Sequence, residues 1–311
     1  MGSSGLPAVS SSLYPSVRAM NTAHSDVRFG TAALATGVRL HYAEAGPPDG
    51  EPVLFLHGLS DSWFSFSPVL PHLPPSLRAL ALSQRGHGDS ERPPAGYTKA
   101  DLAADVVAFL DAMGIARATV VGHSMGSAVA QRVAASYPER VARLVLAGSY
   151  VTARTEDLLA LNEEIRALTD PVPDALARAF QHSTIHRPLP EVFVDAVVAE
   201  SLKLPARVWQ AAMAATLAYD GVTALTRIQA PTMILWGDRD AIFSRAQQDG
   251  LLRLIPNATL KVYEETGHAL HWERPERFAE DVAAFAASTP PFIPRSFAAA
   301  PAALPSSAAA G

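Results

Sequence analysis

Short, mostly apolar runs recur along the chain between longer stretches that carry more polar residues. Each run holds only three or four residues, and most show no alternation of apolar and polar positions. Runs of this kind are typical of strands that are covered on both faces of a parallel sheet. The pattern predicts six strands, at residues 53–56, 79–82, 119–121, 144–146, 233–236 and 260–263.

The stretches between these runs have the spacing of helices that bury one face. In residues 101–113 the apolar side chains recur on one stripe, and residues 127–137 and 276–287 also show helical patterns. Pro275 suits the first turn of the last helix, where its missing N–H costs no hydrogen bond. Because strands alternate with helices, we expect an α/β domain with a doubly wound, mostly parallel sheet and right-handed crossovers.

One long segment interrupts this alternation. Residues 151–222 contain Ala- and Leu-rich helical patterns broken by prolines, which predicts a helical insertion between two strands of the sheet. We therefore expect the α/β core at residues 26–150 and 223–287. Residues 1–25 and 288–311 are rich in Ser, Ala, Gly and Pro, which indicates a flexible N-terminal segment and a disordered tail.

The composition excludes several classes of function. The chain has 311 residues, no cysteine and a formal net charge of -5 at pH 7, so it can have no disulfide, thiolate metal site or cysteine nucleophile. No run of basic residues indicates a nucleic-acid partner. No apolar run reaches the roughly 18 residues of a membrane span, and no secretory signal is visible, so a cytoplasmic location is expected.

A G-x-S-x-G motif occupies residues 122–126, with Ser124 at its centre. The motif follows the predicted strand 119–121 and opens the predicted helix 127–137. A strand, a tight turn and a helix are the setting of a nucleophile elbow, in which the turn lifts the serine hydroxyl out of the sheet. We therefore predict that Ser124 is a catalytic nucleophile.

Two histidines and two aspartates are candidates for the partners of Ser124. A serine hydroxyl needs a base, and His268 and His271 both follow the predicted strand 260–263; His268 is closer to the strand end and is the preferred candidate. Asp238 and Asp240 follow the strand before it. Asp240 lies further into its loop, where it can reach across to the histidine, and is preferred as the acid that orients the base.

A further loop is placed to stabilise an oxyanion. Residues 57–59 follow the first predicted strand, and the backbone N–H groups of Leu59 and Met125 can converge on one carbonyl oxygen. Trp63 follows this loop and is a candidate for contact with the substrate.

Five motifs together resemble the α/β-hydrolase superfamily over residues 27–287: residues 57–59, 85–90, 122–126, 235–240 and 267–268. The resemblance implies an α/β-hydrolase fold with Ser124, Asp240 and His268 as the triad. It also implies Leu59 and Met125 as oxyanion donors and a cap over the pocket at residues 151–222. Epoxide hydrolases and haloalkane dehalogenases share some of these motifs but need an aspartate nucleophile, which disfavours both activities here.

The resulting hypothesis is a serine hydrolase that cleaves a small or medium carboxylic ester or lactone through an acyl-enzyme intermediate. Two alternatives stay open: a carbon–carbon bond hydrolase of ring-cleavage products that uses the same triad, and a ligand receptor on a hydrolase scaffold. No cofactor, metal, nucleic acid or membrane partner is predicted, and the sequence does not indicate the oligomeric state. Five side chains of the insertion are candidates for the pocket wall: Phe180, Phe193, Trp209, Met213 and Tyr219.

Overall fold

A computed structural model describes residues 27–288, which form one sheet flanked by helices. The predicted segment 1–25 and all but the first residue of the predicted tail lie outside the described residues. The eight strands run in the spatial order β1-β2-β4-β3-β5-β6-β7-β8. Their bounds are β1 Arg28–Ala33, β2 Arg39–Ala45, β3 Glu51–Leu56, β4 Leu77–Leu82, β5 Ala118–His123, β6 Val141–Ala147, β7 Thr232–Gly237 and β8 Ala258–Tyr263.

Strands β3 to β8 are parallel and contain the six apolar runs, which confirms the predicted α/β architecture. Alternate residues of β3 explain why its run is continuous. Leu54 and Leu56 belong to the core cluster on one face of the sheet, whereas Val53 and Phe55 belong to the cluster on the other face. Since successive side chains of a strand point to opposite faces, a strand covered on both faces needs apolar residues at every position.

Strands β1 and β2 were not predicted, and their position explains why. They pair antiparallel with each other, and β2 pairs antiparallel with β4, so the two strands form one edge of the sheet. Most residues of β1 are exposed or half-buried, and β2 buries only part of its length. Such strands need no continuous apolar run.

Ten α-helices are described. Their bounds are α1 Lys99–Ala112, α2 Met125–Ser136, α3 Glu156–Arg166, α4 Asp174–Ser183, α5 Glu191–Leu202, α6 Ala206–Leu217, α7 Val222–Leu225, α8 Arg245–Leu254, α9 Leu270–Glu273 and α10 Pro275–Ala287. Helices α3 to α6 lie between β6 and β7, within the segment predicted to be a helical insertion. Between residues 27 and 288, no helix combines the length and the apolar character that crossing a bilayer requires.

A buried ion pair fixes the loop after β4 to helix α1. The Arg85 guanidinium donates from Nε and Nη2 to the Asp105 carboxylate, with Nη2 2.6 Å from Oδ1. Thr36 also donates to this carboxylate, at 2.6 Å, and Arg85 Nη1 donates to the Gly96 carbonyl at 2.7 Å. The side chains of Arg85 and Asp105 are only 9% and 3% exposed, so each charge depends on the other for its stability.

We expect Asp105→Ala to lower the free energy of unfolding by about 3–5 kcal/mol, because it leaves the Arg85 guanidinium buried without a counter-charge. Urea denaturation at neutral pH measures the change. Asp111→Ala on the same helix is the matched control: Asp111 pairs with Arg140 at 2.8 Å, but its side chain is 64% exposed. The control should cost less than about 1 kcal/mol, and equal losses for the two variants would contradict this account.

Candidate active site

The chain turns sharply at Ser124, between the end of β5 and the start of α2. Ser124 has a φ of 51° and a ψ of -118°, a region of backbone space that residues other than glycine rarely adopt. Its N–H donates to the Ala147 carbonyl at 3.0 Å, which ties the turn to the neighbouring strand β6. This conformation is the strand–turn–helix elbow that the motif predicts.

The last glycine of the motif allows α2 to pack directly on β3. A Cβ on Gly126 would lie 2.3 Å from the Leu56 carbonyl oxygen and 2.5 Å from that of His57. No side chain fits there unless the helix moves away from the strand. Because Ser124 immediately precedes this helix, the close approach also fixes the direction in which the turn points.

Asp240 and His268 meet at the carboxyl ends of neighbouring strands. Asp240 follows β7, His268 follows β8, and His268 Nδ1 lies 2.9 Å from Asp240 Oδ2. The other oxygen of Asp240 accepts the backbone N–H groups of Ile242 and Phe243, at 2.8 and 2.9 Å. The carboxylate is therefore fixed from both sides, and it favours the imidazole tautomer with the proton on Nδ1, which leaves Nε2 free to accept one.

Asp238 and His271, the other candidates for the acid and the base, lie elsewhere. The Asp238 side chain is 32% exposed and faces the Arg239 guanidinium at 3.9 Å. His271 is buried, and its Nε2 lies 2.9 Å from Ser65 Oγ. The structure thus brings Asp240, and not Asp238, to His268.

His268 also packs against the end of β6 at Gly148. This glycine has a φ of 50°, and a Cβ there would lie 2.9 Å from both Cε1 and Nδ1 of the imidazole. The ring therefore occupies the space that a side chain would need. His123 directly precedes Ser124, and its Nε2 lies 3.1 Å from the His268 carbonyl oxygen, so the turn and the loop that contains His268 are joined directly.

One cavity contains Ser124 and His268 in its wall, together with Leu59 and Met125. The remaining apolar wall residues are Leu158, Phe180, Met213, Ile242, Phe243 and Trp272. The remaining polar wall residues are Asp61, His123, Gln181, Thr184 and Thr216. Among the residues that the structure describes, no lysine or arginine lines this cavity.

Two of the five candidate pocket residues from the insertion line the cavity, namely Phe180 and Met213. The other three pack inside the fold. Phe193 contacts Phe64 and Trp272 with ring centroids 5.7 and 5.6 Å away, and Trp209 contacts Phe180 at 5.6 Å. Tyr219 donates its hydroxyl to Gln131 at 3.0 Å.

Trp63 requires a correction, because the structure does not bring it to the cavity wall. Its ring is 1% exposed and packs edge-on against Phe29 of β1 at 4.9 Å and against Phe64 at 5.8 Å. Sequence reasoning placed it near the substrate only because it follows the oxyanion loop. The tryptophan that lines the cavity is Trp272, which directly follows His271 in the sequence.

Buried histidines surround the site. The His123 ring lies 4.8 Å from that of His268 and 4.3 Å from that of His271, and His57 and His87 lie 5.0 Å apart. Burial lowers the pKa of four of these imidazoles, those of His57, His87, His123 and His271. Neighbouring imidazoles lower the pKa of three of them further, the exception being His87. The pKa falls to about 4 for His87 and to about 3 for His271. Between residues 27 and 288, no group of three histidine or acidic side chains is arranged to bind a metal ion.

We expect these histidines to make the fold unstable in mild acid. An unfolded histidine takes a proton near its ordinary pKa of about 6.5 while the buried one stays neutral, so stability falls as pH drops below that value. Each such histidine contributes up to about 1.4 kcal/mol per pH unit. Burial raises the pKa of Asp61 to about 7, so this carboxyl group makes the fold more stable as pH falls. Its contribution therefore offsets the destabilisation caused by one histidine.

Urea unfolding between about pH 7 and pH 4.5 measures this dependence. His271→Phe should reduce the slope by about 1.4 kcal/mol per pH unit. His72 is exposed, and the control variant His72→Gln should leave the slope unchanged. An identical slope in wild type and His271→Phe would contradict the explanation.

Comparison with known proteins identifies the family to which this fold belongs. The family model for the alpha/beta hydrolase fold matches residues 51–275. The chain is 30% identical over 287 residues to 2-hydroxymuconate semialdehyde hydrolase from Pseudomonas sp. (strain CF600), an alignment that covers 86% of this chain and 97% of that protein. It is 31% identical over 281 residues to non-heme chloroperoxidase from Streptomyces lividans, covering 83% of this chain and 100% of that protein.

Among solved structures, a hydrolase from Pseudomonas aeruginosa PA01 superposes with a TM-score of 0.74 at 25% identity. That match covers 86% of this chain and 100% of the other. The matched family region contains the strand that leads to Ser124 and the loops that carry Asp240 and His268. The chain therefore belongs to the α/β-hydrolase fold family.

Proposed function

We propose that this protein is a serine hydrolase that cleaves a small or medium carboxylic ester or lactone. One observation carries the proposal: Ser124, at the strained turn, lines the same cavity as His268, whose Nδ1 is bonded to the buried Asp240 carboxylate. A serine hydroxyl becomes a nucleophile when an oriented base takes its proton, and this arrangement provides that base.

In the proposed reaction, Ser124 Oγ attacks the substrate carbonyl carbon while His268 Nε2 takes the hydroxyl proton. Asp240 stabilises the imidazolium that results. The tetrahedral intermediate places its oxyanion towards the backbone N–H groups of Leu59 and Met125. His268 then gives its proton to the leaving alcohol, and an acyl group stays on Ser124.

Water completes the cycle. His268 takes a proton from a water molecule, whose oxygen attacks the acyl carbon of the ester on Ser124. The second tetrahedral intermediate collapses, the carboxylic acid leaves, and the proton on His268 returns to Ser124 Oγ. The overall reaction consumes one water and releases one acid and one alcohol, or a hydroxy acid from a lactone.

The cavity wall supports an uncharged and partly apolar substrate. Helices of the insertion contribute the apolar residues Leu158, Phe180 and Met213, and the segments around α8 and α9 contribute Ile242, Phe243 and Trp272. We infer that the insertion acts as a cap, since its side chains share the cavity with Ser124. A small molecule is therefore the expected partner.

A second candidate is hydrolysis of a carbon–carbon bond in a ring-cleavage product. The relative named 2-hydroxymuconate semialdehyde hydrolase supports it, with 30% identity over 86% of this chain. A dienoate substrate of that class carries a carboxylate. Among the described residues no lysine or arginine lines the cavity to pair with it, which favours the ester. Turnover of a ring-cleavage dienoate without turnover of esters would support the second candidate instead.

We expect p-nitrophenyl esters of graded chain length to give a burst of p-nitrophenol followed by slower turnover, because their good leaving group makes acylation faster than deacylation. Ser124→Ala should lower kcat by about 10⁴-fold or more and abolish the burst, with an unchanged thermal midpoint. Ser136→Ala is the control, since this serine is exposed at the far end of the same helix. Full activity in Ser124→Ala would refute the proposed nucleophile.

The two aspartates after β7 give a matched pair. Asp240→Asn should lower kcat by about 10⁴-fold, because an amide donates to His268 Nδ1 and stabilises the wrong tautomer. Asp238→Asn removes the same charge two residues away. This variant should keep kcat within about twofold of wild type, since the Asp238 carboxylate faces Arg239 and not His268. Steady-state kinetics on one ester measures both. Similar losses in the two variants would show that Asp240 has no special role.

A further inference from the structure

We propose that Asp61 is a second acidic residue of this site, whose carboxylate stabilises the imidazolium that forms on His268 during the reaction. The inference rests on the proposed function, because it needs His268 to act as the base. Asp61 acts through His268 and is therefore a positioning residue.

The position of Asp61 brings its charge to the reaction centre. It lies in the loop after β3, is 4% exposed and lines the same cavity as Ser124 and His268. Asp61 Oδ2 and Ser124 Cβ lie 3.2 and 3.4 Å from the point that a Cβ on Gly58 would occupy. The carboxylate and the nucleophile are therefore close neighbours on the cavity wall.

Neutral donors fix this carboxylate without cancelling its charge. Gln181 Nε2, on α4, donates to Asp61 Oδ1 at 3.0 Å. Ser65 Oγ, on the 3₁₀ helix Trp63–Phe66, donates to Oδ2 at 3.2 Å. A buried carboxylate that is oriented in advance stabilises a nearby positive charge without the cost of reorientation.

His268 is the group near Asp61 whose charge changes in the reaction. The titratable side chains around Asp61 are His123 at the end of β5, His271 on α9 and His268, and Ser65 connects Asp61 to His271 through a 2.9 Å contact. Burial keeps the pKa of His123 and His271 low, so both rings stay neutral at neutral pH. A proton on His268 therefore creates a positive charge in the cavity that both residues line, and this charge interacts with the Asp61 carboxylate.

The ionisation of Asp61 falls within an accessible pH range. Burial raises its pKa to about 7, whereas the hydrogen bonds from Gln181 and Ser65 and the charge of His268 lower it. Above this pH the carboxylate is ionised and its contribution is present. Below this pH it is protonated, and the contribution is lost.

Asp61→Asn tests the proposal through the pH dependence of kcat/KM. Near pH 8.5 the wild type should exceed the variant by about tenfold, mainly in kcat, because one stabilising charge is missing. Near pH 5.5 the ratio should approach one, since Asp61 is then protonated in the wild type and both side chains are neutral. Asp238→Asn is the control for loss of an acidic residue, and its ratio to wild type should stay constant with pH.

A second variant reads the same ionisation without changing Asp61. Gln181→Leu removes a hydrogen bond that lowers the pKa of Asp61, so the midpoint of the step that Asp61 contributes to the pH profile of kcat/KM should move to higher pH. If the thermal midpoint of Asp61→Asn shows that this variant does not fold, Gln181→Leu is the test of the proposal. An unmoved midpoint would overturn the proposal.

A wild-type to Asp61→Asn ratio of kcat/KM that does not change with pH would likewise overturn the proposal. Such a result indicates a purely structural role, which does not depend on the ionisation of Asp61. The proposed function and the role of Asp61 can fail separately. Full activity of Ser124→Ala removes the proposed function, and with it this inference. An inactive Ser124→Ala combined with a ratio of one for Asp61→Asn at every pH removes only the role of Asp61.

Discussion

The close approach of α2 to β3 is the constraint on which the site depends. At Gly126 the helix backbone touches the Leu56 and His57 carbonyls, so no side chain fits between the two elements. The chain enters this helix through the strained turn at Ser124. Strands β3, β7 and β8 run parallel to β5, so the loops after them place Leu59, Asp240 and His268 at the same carboxyl end of the sheet. A turn that would be unfavourable alone is thus stabilised by packing around it.

Burial is the second constraint on the site. The Asp240 side chain is completely buried, and two backbone N–H groups and His268 satisfy its oxygens. Asp61 has only neutral donors and a raised pKa, and the flanking histidines stay neutral for the same reason. A buried site of this kind responds strongly to one new charge, because charges interact more strongly at low dielectric. In the proposed reaction, a proton on His268 is that charge.

The sequence predicts the parts of the fold whose local pattern reflects their environment. Strands buried on both faces carry continuous apolar runs, and the motifs that contain Ser124, Asp240 and His268 each follow such a run. The edge strands β1 and β2 escape prediction because one-sided burial leaves no such run. Trp63 and Trp272 show a further limit: both follow chemical motifs, yet only the second lines the cavity.

Asp61 illustrates the same limit for polar residues. Its burial and its hydrogen bond from Gln181 both involve residues far along the chain. Neither is visible from the few residues around it, where an aspartate between two serines has the pattern of an exposed loop. The long-range packing of the insertion on the loop after β3 determines its environment.

Covalent labelling tests the central claim most directly. A small fluorophosphonate reacts only with a serine that an adjacent base has activated. Mass spectrometry of the digested, labelled protein should find one adduct per chain, on the peptide that contains Ser124, and none in Ser124→Ala. An unlabelled wild type, or a label of equal yield on another residue, would contradict the account.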